Sequence, residues 1–301
     1  MIVSASRRTD IPAFYSEWFF NRLREGFVLV RNPFNVSQVS RISLKRDAVE
    51  CFVFWTKNPE PMLHRLDLIK DYPYYFQFTL NPYGSEFERN LPDKAKVIDT
   101  FMRLSDKIGS KRVIWRYDPI IVNDACSMEK HEKYFNRLAA RLHNYTSKCI
   151  ISFVDDYKKT DKTFKAYGIQ ELHPEMIRET AKRISAAAGA YGLKIETCAE
   201  QIDLAEYGIG HARCIDPELI EEISGTAANY KKDGNQRKAC GCVPAVDIGA
   251  YNTCAHGCLY CYANYSTAAV DRNRSCYDVY SPLLCGEPRP EDKIIERMPV
   301  R

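Results

Sequence analysis

Short apolar runs alternate with amphipathic segments through the first two thirds of the chain. The runs are rich in residues that favour strands and cover 2–6, 27–31, 51–55, 74–79, 112–116, 149–154, 193–197 and, more weakly, 211–214. Apolar positions at helical spacing predict helices over 16–25, 60–71, 93–108, 128–145, 175–191 and 217–223. Gly26, Gly109 and Gly192 follow three of these segments, as is typical of helix C-caps.

This alternation predicts an α/β fold with a parallel sheet covered by helices on its outside, because strands buried on both faces are near-continuous apolar runs. Eight such units match the size of a TIM-type (β/α) barrel. Segment 32–50 lacks a helical period and is expected to form an irregular loop or a small β excursion. A ninth candidate strand covers 246–251, and the pattern leaves open whether it or 211–214 completes the barrel.

The composition is that of a globular protein with a full core. The chain has 301 residues, of which 45% are hydrophobic and 27% charged, and its formal net charge is +4. So small a charge does not argue for a nucleic-acid partner, although it leaves one open. The N-terminus lacks the apolar segment of a signal peptide, and no apolar run approaches the roughly 18 residues that span a bilayer. We therefore expect a cytoplasmic protein with no membrane partner.

The cysteines are unevenly distributed. Seven of the twelve fall within the 46 residues from 240 to 285, and Cys254, Cys258 and Cys261 follow the spacing C-x3-C-x2-C. Thiolates so close in sequence are able to surround one metal centre, as short-spaced cysteines do in iron–sulfur proteins. A [4Fe–4S] cluster held by three thiolates keeps one iron open for another ligand, and Gly257 allows the loop to turn tightly around it.

With Tyr260 just before the third cysteine, this segment resembles the signature of radical S-adenosylmethionine (SAM) enzymes. The resemblance implies a full or partial α/β barrel and a [4Fe–4S] cluster whose open iron binds the amino and carboxylate groups of SAM. It also implies hydrogen abstraction by a 5′-deoxyadenosyl radical, and an electron donor such as flavodoxin or ferredoxin. The substrate, expected to be a small molecule or a nucleotide-like compound, is not readable from the sequence.

A second resemblance covers nearly the whole chain. It is carried by Ser-Arg-Arg-Thr-Asp at 6–10, Phe-Trp-Thr-Lys-Asn-Pro at 54–59 and Asp-Ile-Gly-Ala-Tyr-Asn-Thr-Cys at 247–254. These stretches resemble DUF1848, a family of uncharacterised bacterial proteins that is marked by this C-terminal cysteine cluster. The family implies no activity.

The place of the cysteines departs from the radical SAM pattern, in which they follow the first barrel strand. Here they lie about 40 residues from the C-terminus. We therefore expect a circular permutation, in which strand 246–251 plays the superfamily's first strand and strand 2–6 lies beside it. The loop 7–10 then replaces the turn that binds the amino group of SAM, although the glycines of that turn are missing. A strand 246–251 far from 2–6 would refute this expectation.

The cysteine loop has other interpretations. A structural zinc site would use Cys240 or Cys242 as its fourth ligand, and His256 lies within the loop. Simple packing of unligated thiols is a further alternative. Cys240 and Cys242 are otherwise expected to form a second cluster with Cys276 or Cys285, to occupy the open iron in a resting state, or to be two small loop residues.

Polar residues follow most of the predicted strands, where the loops of a barrel build the active site. For cofactor binding we predict Arg7, Arg8, Thr9, Asp10, Lys57, Glu196 and Tyr260. For substrate contact and catalysis we predict Arg116, Tyr117, Asp118, Cys198 and Glu200, of which Tyr117 or Cys198 would return a hydrogen atom to a substrate radical. Asp155 and Asp156 also follow a strand. The basic residues, together with Arg31, predict an electropositive mouth that suits a carboxylate or phosphate.

Two other functional classes remain as alternatives. A metal-dependent hydrolase needs several histidines at strand ends, but only His211 and His256 lie away from predicted helices. A non-enzymatic iron–sulfur protein that carries electrons or senses oxidants would not need a polar mouth. In every case we expect a barrel over 1–239, a cysteine loop over 240–265 that closes its mouth, and an extension over 266–301 packed on the barrel.

Overall fold

A computed structural model describes residues 1–155, 161–227 and 229–297. Its strands are β1 (Ile2–Ala5), β2 (Phe27–Arg31), β3 (Gln38–Ser43), β4 (Cys51–Thr56), β5 (Tyr74–Thr79), β6 (Val113–Ile120), β7 (Lys148–Phe153), β8 (Lys194–Thr197), β9 (Gly210–His211), β10 (Val246–Asp247) and β11 (Lys293–Glu296). Its α-helices are α1 (Ile11–Phe14), α2 (Ser16–Glu25), α3 (Glu60–Leu63), α4 (Lys94–Ile108), α5 (Met128–Leu142), α6 (Asp161–Ala166), α7 (Pro174–Gly189), α8 (Pro217–Ser224) and α9 (Thr267–Ser275).

Eight of the strands form one parallel sheet in the order β10-β1-β4-β5-β6-β7-β8-β9. The predicted α/β fold with a parallel sheet surrounded by helices is confirmed. Its central strands are apolar runs buried on both faces, as in β4, where only Trp55 is partly exposed. The helices cover one face because their apolar stripes pack against it, and Gly26 ends α2 in the left-handed conformation that favours glycine, with φ +77°.

The prediction that the run 27–31 is a strand of the parallel sheet is wrong. β2 pairs antiparallel with β3 and, through β3, with β11 in a separate three-stranded sheet. The physical reason is the short connection 32–37, because a parallel pair needs a crossover of a dozen or more residues. The small β excursion expected within 32–50 is therefore β3.

The closed TIM-type barrel is not found among the described residues, since β9 and β10 are the two edges of an open sheet. Both candidate closing segments join the sheet, but at opposite edges and as strands of two residues each. The chain after β9 turns onto the inner face of the sheet instead of pairing with β10. There the Cys214 carbonyl accepts hydrogen bonds from Tyr75 Oη at 2.7 Å and Gln77 Nε2 at 2.9 Å.

The two largest of the four apolar clusters among the described residues lie on the two faces of the parallel sheet. The larger lies between the sheet and its helices and includes Trp18, Phe54, Phe101 and Trp115. The smaller lies on the inner face, where Val53, Tyr75 and Ile150 pack against the segments around Cys214 and Cys242. The expected segment 240–265 contributes β10 to the sheet. Within the described ranges, no helix is both long and apolar enough to cross a membrane.

Candidate functional site

A cavity of about 900 Å³ opens at the carboxyl ends of the parallel strands. Parallel strands place their following loops at one edge of a sheet, so residues far apart in sequence meet there. Most of the predicted site residues line the cavity: Arg7, Arg8, Thr9, Asp10, Lys57, Arg116, Asp118, Cys198, Glu200, Cys240, Cys242, Cys254, Cys258, Tyr260 and Cys261.

The expected adjacency of the strand that begins at residue 246 and the N-terminal strand is confirmed. β10 pairs in parallel with β1, with Val246 opposite Val3 and Asp247 opposite Ser4. The Asp247 carboxylate then accepts hydrogen bonds from Ser6 Oγ at 2.7 Å, the Arg7 amide at 2.8 Å and the Gly249 amide at 3.0 Å. One side chain therefore fixes both the loop that follows β1 and the turn that leads to the cysteines.

The turn after β10 tolerates no side chain at Gly249. A Cβ atom there would lie 2.1 Å from Ser6 Oγ and 2.6 Å from Ser6 Cβ. Glycine is thus required for the backbones that follow β1 and β10 to approach each other this closely.

The cysteine loop is held by hydrogen bonds to its backbone from several sides. Asn264 Nδ2 donates to the Cys254 carbonyl at 2.8 Å, Asn90 Nδ2 to the Ala255 carbonyl at 2.7 Å, and Tyr15 Oη to the Thr253 carbonyl at 2.6 Å. Gly257 has φ +67°, a left-handed backbone conformation that favours glycine at this point of the loop. The side chains of the loop are therefore presented to the cavity by a fixed backbone.

The thiols of this loop influence one another electrostatically. Burial raises the pKa of Cys258 to about 12. Burial also raises the pKa of Cys254, and the charges of Asp10, Cys261 and Cys258 add to that rise. Without a cation these two thiols stay protonated, and a bound metal centre would displace their protons.

A buried ionic network joins the loop to the sheet. Lys57 Nζ donates to Glu88 Oε1 at 2.7 Å and to Tyr260 Oη at 2.9 Å, and Tyr260 Oη also donates to Glu88. Burial alone would raise the pKa of Glu88, but Lys57 and Lys94 outweigh it and hold that pKa at about 2. Lys57 and Tyr260 are thus committed to Glu88, and they position the cysteine loop.

Asp10 has a similar positioning role. Its Oδ2 accepts from the Lys57 amide and from His256 Nε2, both at 2.7 Å, and its Oδ1 caps α1 through the Ala13 amide at 2.9 Å. The other ring nitrogen of His256, Nδ1, is buried and has no hydrogen-bond partner among the described residues. Thr9 Oγ1 and Arg7 Nε, which lie just before Asp10 in the chain, are also buried without a hydrogen-bond partner in the described ranges.

Arg116 and Asp118 form a second buried pair at the end of β6. Arg116 Nε donates to Asp118 Oδ2 at 3.0 Å, and Ser152 Oγ donates to Asp118 Oδ1. Burial alone would raise the pKa of Asp118, but the Arg116 guanidinium outweighs it and keeps that pKa below its usual range. The predicted pair therefore lies at the cavity as an ion pair.

Much of the predicted positive charge at the mouth is neutralised. Arg31 pairs with Asp292 at 2.5 Å and Arg8 lies 3.9 Å from Asp247, in addition to the pairs of Lys57 and Arg116. Arg7 differs, because its Nη1 donates to the neutral Gln236 side chain at 3.0 Å and its Nε has no hydrogen-bond partner within the part of the chain that the structure describes. Arg7 is therefore the guanidinium best suited to an anionic ligand.

Two predicted residues do not reach the cavity. Tyr117 points to the other face of β6, because successive side chains of a strand alternate, and its hydroxyl bonds to His131 Nδ1 at 2.8 Å in the core. Glu196 forms ion pairs with Lys148 at 2.8 Å, on its buried side, and with the exposed Lys194 at 2.7 Å. The roles predicted for Tyr117 and Glu196 are corrected to structural ones.

Cys240 and Cys242 lie next to Cys198 and Cys214. Their expected partners Cys276 and Cys285 lie elsewhere, since neither lines the cavity. A hydrogen bond from Cys242 lowers the pKa of Cys240 to about 7.

Glu200 and His256 lie at the cavity, whereas His211 does not. Burial raises the pKa of Glu200 to about 7, and its Oε1 accepts from the Phe153 amide at 2.9 Å. Of the two histidines considered for a hydrolase, only His256 lines the cavity, while His211 is exposed on β9. Asp156 lies outside the described residues.

Sequence reasoning missed Asp247, Glu88 and Cys214. Asp247 stands in a weak strand, and its importance follows from the contact of β10 with β1. Glu88 lies in a loop without a motif, so no sequence signal marks it. Cys214 is the last residue of a predicted strand, and the predicted site residue Cys198 directly follows another. The same search of strand ends could therefore have found Cys214.

Comparison with known proteins places the chain in a family. The profile of the family described as Domain of unknown function (DUF1848) matches residues 2–263. The chain belongs to DUF1848. Neither a curated protein nor a solved structure matches the chain.

The donor set fits an iron–sulfur cluster in chemical type. Three thiols of one loop line the cavity. Arg7, Thr9 and His256 line it too, and each has a buried polar atom without a hydrogen-bond partner among the described residues. As placed, the thiols are not an assembled site, because in the described ranges no three His, Cys, Asp or Glu side chains form a group ready to hold a metal ion.

Proposed function

We propose that this chain is a radical SAM enzyme whose Cys254, Cys258 and Cys261 hold a [4Fe–4S] cluster. One observation carries the proposal. The C-x3-C-x2-C loop follows a strand paired with the N-terminal strand, and its three cysteines line the cavity at the carboxyl edge of the parallel sheet. This arrangement supports a permuted radical SAM fold, in which the cysteine loop still follows an edge strand although it comes late in the chain.

When bound, the cluster supplies the one-electron cleavage of SAM that starts radical chemistry. The chain's own residues bind and orient. Arg7 offers a charged donor to the SAM carboxylate, because no described residue accepts a hydrogen bond from its Nε. Thr9 Oγ1 and Glu200 are available for hydroxyl or amino groups at the cavity wall. Asp10, Lys57 and Tyr260 keep the cysteine loop in place through their hydrogen bonds.

The size and polarity of the cavity bear on the substrate. About 900 Å³ is near the upper end of the roughly 300–1,000 Å³ range of small-molecule sites. It therefore has room for SAM and a second small molecule. Arg7 favours an anionic substrate or cofactor group, so we propose a small or nucleotide-like anionic substrate.

An electron donor must reach the cluster from outside, and we propose a flavodoxin or ferredoxin in the cytoplasm. Tyr262, next to Cys261, is 46% exposed, so the loop lies close to the surface. This short path suits transfer from a docked protein.

The proposal is tested by anaerobic reconstitution with iron and sulfide, followed by iron counting and electron paramagnetic resonance with and without SAM. We expect about four irons per chain at this loop and a signal of the reduced cluster that changes when SAM binds. Cys258→Ser should lose the iron, whereas Cys276→Ser, in an exposed position away from the cavity, should keep it. If the electron paramagnetic resonance signal of the reduced cluster is the same with and without SAM, the protein is an electron carrier and the proposed enzyme is refuted.

A further inference from the structure

Four other cysteines meet on the inner side of the sheet. Cys198 follows β8, Cys214 follows β9, and Cys240 and Cys242 precede β10. Cys198 Sγ lies 3.3 Å from Cys214 Sγ, and Cys198, Cys240 and Cys242 pack with Cys214 in one apolar cluster on the inner face of the sheet. All four line the cavity wall, and we refer to them as the four-cysteine cluster.

Two N–H groups are directed at sulfurs of the four-cysteine cluster. Arg116 Nη1 donates to Cys214 Sγ at 2.9 Å, and the Ile215 amide donates to Cys242 Sγ at 3.3 Å. Both sulfur-bearing residues are 2% exposed, so these donors bind sulfur in place of water. Cysteines that merely fill space need no such donors, whereas metal-bound ligands are commonly held by hydrogen bonds from surrounding groups.

The surroundings also balance charge. Four thiolates around one divalent cation carry a net charge of about −2, which is costly to bury unless cations are near. The Arg116 guanidinium touches Cys214, and Arg7 lies within electrostatic reach of Cys214 and Cys242. The four-cysteine cluster therefore has positive charge beside it.

The short distance between the sulfurs of Cys198 and Cys214 favours a single ion over a [4Fe–4S] cluster. With Zn–S bonds of about 2.3 Å, neighbouring sulfurs of a tetrahedral site lie about 3.8 Å apart. The Cys198–Cys214 distance of 3.3 Å is close to that value. Thiolates of a [4Fe–4S] cluster bind four different irons and must stand farther apart.

We propose that Cys198, Cys214, Cys240 and Cys242 bind one structural zinc ion. The four thiols lose four protons and form four Zn–S bonds, with no redox change. Among the described residues no three of these thiols already form a group that holds a metal ion, so binding draws the sulfurs of Cys240 and Cys242 towards the contacting pair of Cys198 and Cys214.

The place of the ion gives it a mechanical role. No pairing joins β9 to β10 in the part of the chain that the structure describes, so the sheet is open there. The four-cysteine cluster links the ends of β8 and β9 to the segment that enters β10. A zinc ion would tie the two edges of the sheet together and fix the strand that precedes the iron–sulfur loop.

The test uses the full chain purified without added iron, with zinc measured by mass spectrometry. We expect about one zinc per chain, and a cobalt-substituted form with the absorption bands of a tetrahedral tetrathiolate site. Cys214→Ser and Cys242→Ser should lose the ion, and Cys276→Ser should keep it. Because core variants sometimes fail to fold, Cys240→His and Cys240→Ala form a second pair, of which only the histidine variant should retain zinc.

The zinc site does not depend on the radical SAM activity, and a triple variant of the cysteine loop distinguishes the two metal sites. Cys254→Ser, Cys258→Ser and Cys261→Ser together should remove the reconstituted iron but leave the zinc. Zinc that disappears with this triple variant, iron that binds to the four-cysteine cluster, or a purified chain without zinc would each overturn the zinc site.

Discussion

Val246 pairs with Val3 in parallel register, so the strand that leads into the cysteine loop lies directly beside the N-terminal strand. The two ends of the family's matched region therefore build one part of the cavity together. This contact makes the late position of the cysteines compatible with a site at the edge of the sheet. It also makes the residues that join the two strands the most sensitive part of the site.

Asp247 is the first of these residues. Asp247→Asn leaves one acceptor oxygen where two serve Ser6, Arg7 and Gly249, so we expect the free energy of unfolding to fall by about 1–3 kcal/mol. The iron content after reconstitution should fall as well, because the turn to the cysteines loosens. Asp271→Asn, at an exposed helical position, should change stability by no more than about 0.5 kcal/mol. Equal effects of the two variants in urea denaturation would contradict the role given to Asp247.

The ion pair of Lys57 with Glu88 should stabilise the protein in a pH-dependent way. The pKa of Glu88 is lowered from 4.5 to about 2, so its contribution is present above pH 4.5 and is lost as the pH falls toward 2. Lys57→Gln leaves Glu88 with Lys94 alone and should cost about 3 kcal/mol at pH 7.

The loss in Lys57→Gln should shrink at about pH 4, because a poorly paired carboxyl is then partly protonated. Lys107→Gln, in a surface pair with Asp67, is the control and should have little effect at either pH. A loss of the same size at both pH values would show that Lys57 does not act through Glu88.

Tyr117 should matter for stability and not for chemistry. Tyr117→Phe leaves His131 Nδ1 without its donor in the core and should lower the free energy of unfolding by about 1–3 kcal/mol. Formation of 5′-deoxyadenosine should be unchanged at temperatures where the variant is folded. Tyr134→Phe, on an exposed face of α5, should alter neither quantity. A folded Tyr117→Phe variant without activity would restore the catalytic role predicted from the sequence.

Arg7 is expected to bind the SAM carboxylate. Removing a charged hydrogen-bond donor costs about 1.5–3 kcal/mol, so Arg7→Ala should weaken SAM binding about 10- to 100-fold. Its reconstituted iron content should equal that of the wild type, since the hydrogen bonds of Arg7 to Asp247, Gln236 and Tyr262 involve no cysteine of the loop. Arg41→Ala, whose side chain pairs with Glu296 in the small sheet, is the control for SAM titrations. Unchanged affinity in Arg7→Ala would assign the carboxylate to another residue.

Much of the fold can be predicted from the sequence, because strands that are buried on both faces are continuous apolar runs. The exception is β2, whose apolar residues look the same in either sheet. Its antiparallel pairing depends on the short connection to β3, a strand that the sequence indicates only weakly. The open edge between β9 and β10 depends on the path of the chain after Cys214 across the inner face, which no local pattern encodes.

Part of the candidate site can also be predicted from the sequence, and part depends on tertiary contacts. Spacing identifies Cys254, Cys258 and Cys261, since their chemistry is local. Strand alternation separates Arg116 and Asp118 from Tyr117 only when the inner face is known. The pairing of Glu196 with Lys148, and the meeting of Cys198 with Cys214, arise from tertiary contacts between distant segments.

The central claim is that the cysteine loop supports reductive cleavage of SAM, and its product tests this most directly. The measurement is 5′-deoxyadenosine formed by the anaerobically reconstituted chain with dithionite and SAM, compared with Cys258→Ala and Cys276→Ala. We predict 5′-deoxyadenosine from the wild type and from Cys276→Ala, and none from Cys258→Ala. A wild-type chain that holds its iron and binds SAM but forms no more 5′-deoxyadenosine than Cys258→Ala would contradict the account.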